Sequence, residues 1–526
     1  LSVLLHDRMD LLSRSGVTGV GLRGVEREAL RVDKAGRLAT TPHPHVLGSA
    51  LTHPNITTDY SEALIELVSS AHASIDELMQ ELDLVHRFVQ QGLDQESLWS
   101  ASMPAELPSE AEIPIAWYGN SHIGMLKHVY RRGLAVRYGK AMQCIAGIHY
   151  NFSLPEQWWE ILGRAEGSPL SARDEQSARY IALIRNFQRH AWLLMFLFGA
   201  SPALSTGFLQ GRPHQLQESG PGTLSLPHAT SLRMSDLGYQ NKAQSGLIPP
   251  YNSLSEYMTG MARAVRLPWP EYEALGLRRD GEWIQISTNV LQIENEYYAS
   301  IRPKRVVNPG ERPLQALCER GVQYVEVRCI DVDPFEPSGI SADTARFLDV
   351  FLTLCALAES PAATPAGSEE ARENFASVVR EGRRPGLSLQ RDGQAIGLRE
   401  WSLELMDEMQ AVAGWLDGIS GGTLYQQALT LQTARVRNPQ DLPSARVAQA
   451  IEAHGGSFHR FALAQSQASH AALLARPLSP EQTQQMRALA ETSLASQREM
   501  EAQDVGSFDD FIEAYRRATP SQLCCD

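Results

Sequence analysis

The sequence predicts an α+β fold with an antiparallel sheet, and three observations carry that prediction. Segments of alternating polarity recur at IAGIHYNFSL (145–154), WIQISTNVLQIEN (283–295) and VQYVEVRCIDVD (322–333), the pattern of half-buried strands. Long, irregular connections separate them, not the regular βα units of a parallel sheet. After about residue 396 the pattern turns almost wholly helical, in LREWSLELMDEMQAVAGWLDG, SARVAQAIEAHG and SPEQTQQMRALAETSLASQREMEAQD.

In chain order, DRMDLLSRSGVT (7–18) reads as an amphipathic helix and a turn. GVGLRGVEREALRV (19–32) follows, and its Gly19, Gly21 and Gly24 spell G-x-G-x-x-G. A dinucleotide site needs a strand before that motif and an acid about 20 residues on for the ribose. A helix precedes it instead, and no Asp or Glu occurs from Lys34 through Thr58, so the glycines are assigned to turns. EREALR is strong helix-forming sequence by propensity. TTDYSEALIELVSS (57–70) fits a helix, with Asp59 and Glu62 as a capping box, or a strand, with Glu66 embedded among apolar neighbours. RDEQSARYIALIRNFQRHAWLLMFLFG (173–199) is helical, and SPAATPAGSEEAREN (360–374) is a loop entering a helix. Ser479-Pro480-Glu481 marks a helix start, with Ser as N-cap and Pro in the first turn. A division into a catalytic core, 1–358, and a helical support region, 359–526, is expected.

The 526 residues are 43% hydrophobic and 21% charged, ordinary for a globular chain with sizeable cores. The net charge of −14 argues against nucleic acid as a partner. An anionic ligand would therefore need a divalent metal or clustered Arg and Lys. Six cysteines without a C-x-x-C pair suggest neither zinc nor a disulfide framework. Cys144, Cys318, Cys329 and Cys355 are expected as buried thiols, and Cys524 and Cys525 as mobile tail residues. LSVLLHDRMDLL makes a poor signal peptide, and the run AWLLMFLFGASPAL (191–204) is too short to span a bilayer. A cytoplasmic protein without membrane partners is expected.

Carboxylates carry the chemical interest. On a strand, Glu26 and Glu28 would share a face and repel unless a cation sat between them, and hard divalent cations prefer such oxygens. On a helix they would be ordinary solvated residues. His149 lies on the polar side of a convincing strand with Asn151 and Ser153, and becomes a plausible metal ligand when acids are near. Glu326 and Arg328 share the face opposite Val325 and Val327. They form either a buried ion pair or a metal ligand beside a phosphate-binding guanidinium. IRPKRV (301–306) adds a cationic knot. Neither a G-x-x-x-x-G-K-[ST] loop nor H-E-x-x-H nor G-x-S-x-G occurs. Metal-assisted handling of an anionic ligand is the reading these residues support.

Taken in order, RGVEREALRV, LATTPHPHVLGSALTHPNITTDYSEALIELV, GIHYNFSLP, LFGASPAL, ATSLRMSDLGYQNKAQS, VLQIENEYYASIRPKR, YVEVRCIDVDPF and EGRRPGLSL resemble bacterial glutamate–cysteine ligase of the enterobacterial and pseudomonad kind. The resemblance covers about residues 15–390 well and the helical tail loosely. It implies a glutamine-synthetase-like fold: a curved, mainly antiparallel sheet forming a funnel with acids inside, surrounded by helices. It places Glu26 and Glu28 on a strand, against the local helix propensity. The implied reaction is ATP-dependent phosphorylation of the glutamate side-chain carboxylate, followed by attack of the cysteine amine to give γ-glutamylcysteine, the first step of glutathione synthesis.

Carried over by motif, Glu26, Glu28, Asp59, Glu66, His149 and Glu326 are the implied Mg²⁺ ligands, with Mn²⁺ as an alternative ion. Arg328, Arg131 and Lys304 are the implied phosphate-facing cations, and Asn151 and Ser153, with Arg328, line the nucleotide end. Tyr130, Leu134, Gln143, Arg233, Tyr239 and Tyr298 match positions that hold the amino acids. L-Glutamate, L-cysteine and ATP are the implied substrates, glutathione a feedback inhibitor, and a monomer is expected. The chain departs from the family in QLQESGPGTLSLPHATS (215–231), which is poorer in aromatics and has His228 in place of a tyrosine. Two other functions fit the same scaffold: a ligase or phosphotransferase with a different amine or guanidine acceptor, and a nucleotide-binding regulator without turnover.

Overall fold

A computed structural model describes residues 3–237, 243, 244, 247, 251–308 and 311–518. Tyr239, Cys524 and Cys525 lie outside the described residues.

The chain opens with helix α1 (Val3–Arg14) and enters the long strand β1 (Leu22–Val32). Short strands β2 (Ile56–Thr58) and β3 (Leu64–Val68) follow, then α2 (Ile75–Gly92), β4 (Ser97–Leu98) and α3 (His122–Tyr138). Strand β5 (Ile148–Ser153) leads to α4 (Glu156–Ala165) and α5 (Ala172–Phe198). A small sheet of β6 (Ala203–Ser205), β7 (Gln217–Gly220) and β8 (Thr223–Ser225) comes next, so part of the aromatic-poor segment 215–231 is a hairpin. Then come α6 (Leu254–Ala264), α7 (Pro270–Leu275), and the paired β9 (Arg278–Arg279) and β10 (Glu282–Trp283). Strand β11 (Ile301–Lys304), helix α8 (Pro313–Arg320), β12 (Tyr324–Ile330) and α9 (Ala342–Leu357) complete the expected core.

The main sheet has the order β11-β12-β5-β1-β3-β2, with β4 also pairing β1, and every pairing is antiparallel. This is the expected α+β architecture. The helix propensity of EREALR is overridden because strand pairing on both sides of β1 satisfies its backbone and buries Val25, Ala29 and Leu30. The open reading of 57–70 resolves as strands β2 and β3. Gly21 is the one glycine of the G-x-G-x-x-G that needs to be glycine. Its φ is +87°, and a Cβ there would meet the Ser153 carbonyl oxygen at 1.8 Å.

Two expectations are corrected. The segment 283–295 is a strand only at its first residue, within β10. Beyond it, scattered carbonyls and side chains replace the ladder: the Val290 amide donates to the Leu267 carbonyl (2.8 Å), the Ile286 amide to Gln292 Oε1 (3.0 Å) and the Gln292 amide to Glu296 Oε2 (2.6 Å). Cys318 is not a buried thiol. It is partly exposed and disulfide-bonded, whereas Cys144, Cys329 and Cys355 are buried and free.

One face of the sheet packs on α2, α5 and α9, which place Phe187, Leu194, Phe347 and Phe351 in a continuous apolar core. The helical region comprises α10 (Pro365–Glu381), the hairpin β13 (Ser388–Arg391) and β14 (Gln394–Gly397), α11 (Leu398–Ser420), α12 (Leu424–Arg437), α13 (Pro443–Ala453), α14 (Phe458–Leu474), α15 (Pro480–Gln503) and α16 (Phe508–Arg517). Ser479 and Gln482 form a full capping box on α15, at the helix start read from Ser-Pro-Glu. No helix among the described residues is long and apolar enough to cross a membrane.

Candidate active site

Strand alternation gathers the acids. On β1, Glu26 and Glu28 point to one side of the sheet while Arg23, Val25 and Arg27 point to the other. Register places His149 of β5 opposite Glu26, Glu66 of β3 opposite Glu28, and Glu326 of β12 opposite Asn151. Four neighbouring strands thus contribute to one acidic row. Glu26, Glu66 and His149 each bring a ligand atom within 4.8 Å of the others, a group able to hold a metal ion. His149 Nδ1 lies 3.1 Å from Glu26 Oε2, and its Nε2 lies 3.5 Å from Glu28 Oε1. Asn151 Nδ2 donates to Glu26 Oε1 (2.8 Å), and the Gly147 amide donates to Glu28 Oε2 (2.7 Å).

The acids titrate in opposite directions. Burial and the charges of Glu26, Asp59 and Glu28 push Glu66 well above the usual carboxylate range. Burial also raises Glu28, against the pull of His149. Burial is the largest influence on Glu26 and works against ionisation, but the hydrogen bond to His149 together with the charges of His149 and Lys304 makes the net shift downward. Glu326 is held well below its ordinary value despite burial, by Lys304, Arg328 and His149. Its oxygens lie 3.4 Å from Lys304 Nζ, 3.2 Å from Arg328 and 4.0 Å from Arg302. A cation among these acids would relieve the repulsion that raises Glu66.

Beside the row lies a cavity of about 90 Å³. Glu28, Asp59, Arg131 and Arg328 line its charged side, and Tyr130, Leu134, Gln143 and Tyr298 line another part. Asp59, in the turn after β2, faces the same charge cluster, as its influence on Glu28 and Glu66 requires. Arg131 donates to the carbonyl oxygens of Asp59 and of Lys127 (3.0 Å). Arg233 is buried near Glu28, with its guanidinium on the carbonyls of Arg328 (2.9 Å) and Ile330 (3.2 Å). Ser153 sits at the end of β5 and approaches the Leu22 carbonyl (3.5 Å).

The cavity also contains residues the sequence reading did not single out: Tyr60, Tyr138, Asn295, Glu296 and Arg302. Tyr138 extends the Tyr130–Leu134 stripe by one more helical turn of α3, a spacing visible in the sequence. Arg302 lies in the IRPKRV knot, on the same strand face as Lys304 and opposite Glu326 in register. Tyr60 Oη, Gln143 Nε2 and the Nε atoms of Arg302 and Arg328 are buried without hydrogen-bond partners among the described residues. Such groups cost about 1–3 kcal/mol each unless a ligand or water meets them. Burial and neighbouring Arg131 lower Lys127, one turn earlier on α3, to about 8.

A divalent-metal acid row bordered by guanidinium groups and an amino-acid-sized cavity defines an enzyme that handles phosphate and carboxylate groups together. The family model described as glutamate-cysteine ligase matches residues 11–378. The chain is 59% identical over 525 residues to the glutamate–cysteine ligase of Janthinobacterium sp. (strain Marseille), covering 100% of this chain and 98% of that one. It is 59% identical over 498 residues to that of Azotobacter vinelandii, with 94% of each covered. In structure it is similar to the Francisella tularensis glutamate–cysteine ligase solved in complex with AMP, with TM-score 0.89 and 37% identity over 96% of this chain and 99% of that one. A bifunctional glutathione synthetase from Pasteurella multocida matches with TM-score 0.71 and 25% identity, covering 90% of this chain and 55% of that one. The chain belongs to the glutamate–cysteine ligase family, and it is a ligase.

Proposed function

We propose that the acid row and its adjoining cavity are the place where this ligase joins the glutamate side-chain carboxylate to the cysteine amine at the expense of ATP. The observation that carries the reading is the convergence of Glu26, Glu66 and His149 beside Arg328 and a cavity lined by Tyr130, Leu134 and Gln143. Carboxylate and triphosphate repel each other, and the amine cannot displace oxide from a carboxylate. Cations must meet the first problem, and the second vanishes once the carboxylate oxygen takes the γ-phosphoryl group and ADP leaves. The amine then attacks the acyl carbon, loses a proton, and expels inorganic phosphate.

In this reading Glu26, Glu28, Asp59, Glu66, His149 and Glu326 hold Mg²⁺, with Mn²⁺ able to substitute. The donor set of mostly carboxylate oxygens suits a hard divalent cation. The bound ion supplies charge neutralisation for phosphoryl transfer. Arg328, Arg131 and Lys304 orient the transferred phosphate, and Arg328 stays fully charged because burial is outweighed by Glu326 and Glu28. Asn151 and Ser153 face the nucleotide, and the AMP complex of the Francisella ligase supports a nucleotide site on this scaffold. Gln143, Tyr130, Leu134 and Tyr298 enclose the acceptor amino acid. Arg233, whose guanidinium also braces β12 beneath Arg328, is assigned with them as the partner of a substrate carboxylate, and Tyr239 remains assigned to the substrate pocket on the resemblance. The reading extends to closure of the sheet into a funnel, a support role for 359–526, a cytoplasmic monomer, and feedback inhibition by glutathione.

The test is ADP release with ATP, Mg²⁺ and L-glutamate, with and without L-cysteine, with the product identified by mass. Cysteine-dependent ADP and γ-glutamylcysteine are expected. ADP only with another amine would replace the acceptor assignment, and binding of ATP without turnover would remove the catalytic one.

A further inference from the structure

Tyr118 is 1% exposed and precedes α3. Its hydroxyl oxygen lies 2.6 Å from the Thr58 carbonyl and 2.8 Å from the Asp59 carbonyl, the exit of β2. The rest of the turn is held by other bonds, among them the Glu62 amide on the Pro114 carbonyl (3.1 Å) and the Ala116 amide on the Tyr60 carbonyl (3.0 Å), while Asp59 itself has its amide on the Leu64 carbonyl and shares its carbonyl between Tyr118 and Arg131. The opposite function belongs to the ring. Lys127 Nζ lies 5.2 Å and Arg131 Cζ 4.6 Å from its centroid, both within cation–π range. The two cations are one helical turn apart on α3 and repel each other, and the Tyr118 ring lies against both. Arg131 meets the Asp59 carbonyl directly, and the phenol adds a second link that also takes in Lys127. One phenol touches all three.

We infer that Tyr118 is a positioning residue that locks Asp59, through its backbone, to the Arg131–Lys127 pair as one unit. The inference rests on the reading above that Asp59 binds metal and Arg131 faces phosphate. Its hydroxyl half governs the acid, and its ring half governs the cations. The two halves are separable by Tyr118→Phe, which keeps the ring, and Tyr118→Leu, which removes both.

The experiment titrates Mn²⁺ into the full-length protein without nucleotide, by electron paramagnetic resonance. It pairs this with the Mg²⁺ dependence of ADP release and the KM for cysteine. Tyr118→Phe is expected to weaken Mn²⁺ binding about tenfold, and to raise half-saturating Mg²⁺ similarly, with the KM for cysteine unmoved. Tyr118→Leu is expected to lower kcat at saturating Mg²⁺ as well. Unchanged Mn²⁺ affinity in folded Tyr118→Phe overturns the inference, and so does a parallel drift of metal affinity, cysteine KM and melting temperature. Asp59→Asn separates the two levels. If it weakens Mn²⁺ binding and Tyr118→Phe does not, the inference fails alone; if Asp59→Asn leaves Mn²⁺ binding intact, the ligand reading fails and takes the inference with it.

Discussion

At the scale of single residues, Glu26 is the sharpest test of the acid row. It accepts from Asn151 and pairs with His149, so the amide of Glu26→Gln can keep a hydrogen bond while losing the charge. The variant is expected to melt with the parent and to lose turnover by at least about 100-fold. Near-normal kcat in a folded variant would take Glu26 out of the metal set. The raised acids make a second prediction. Glu66 and Glu28 bind a proton more readily in the folded, metal-free protein than in the unfolded chain. Their contribution to stability is therefore full at low pH and is lost as pH rises through their folded-state values. Mg²⁺ favours the ionised forms, so the rise in melting temperature on adding Mg²⁺ should be larger at about pH 8 than at about pH 6. Melts in which that increment shrinks with rising pH would contradict the assignment.

At the scale of elements, β1 works with both faces. One presents Glu26 and Glu28 to the site. The other buries Arg23, whose Nε donates to Asp349 Oδ2 of α9 at 2.7 Å. Tyr150 of β5 (2.8 Å) and Tyr425 of α12 (3.1 Å) donate to the same carboxylate. This network ties the two central strands to two helices directly behind the acids. Asp349→Ala leaves a buried guanidinium without its counter-charge, and a loss of about 3–5 kcal/mol in urea unfolding is expected. Mn²⁺ affinity of the folded fraction should hold, because the network lies on the far side of the sheet. A loss under about 1 kcal/mol would show that Arg23 is adequately solvated by the carbonyls of Val20, Gly21 and Ala73.

At the scale of the molecule, the last described helix reaches the cavity beside the acid row through α3. Phe508, Phe511, Ile512 and Tyr515 of α16 pack on Leu126 and Val129 of α3 and on Trp283 and Ile286. The same α3 carries Tyr130, Arg131, Leu134 and Tyr138. Asp504 accepts from the His122 amide (2.5 Å) at the start of that helix, and Asp509 accepts from Trp283 Nε1 (2.7 Å). Removal of residues 504–526 should uncover this apolar face, lower the melting temperature, and reduce kcat/KM for cysteine roughly tenfold. Unaltered cysteine kinetics in the truncated protein would confine α16 to a passive cover.

The sequence by itself determined the sheet's character and much of the chemistry. Alternation in GIHYNFSL and YVEVRC identified two strands and the polar side of each, because a period of two is a local property of the backbone. The Ser-Pro-Glu cap and the apolar periodicity of the later helices are likewise local. The long ordered resemblance supplied the reaction. Tertiary structure decided the rest. EREALR is a good helix by propensity, and only the partners on either side make it a strand, since pairing energy is non-local. The segment 283–295 alternates like a strand but has its amides met by non-strand carbonyls and by glutamine and glutamate side chains instead. Tyr118 could not be singled out from sequence, because its meaning lies in touching residues some 60 positions earlier and a helix that follows. Register brought Glu26, Glu66 and His149 within ligating distance, and register is fixed by which faces can be buried together, a property of the assembled sheet.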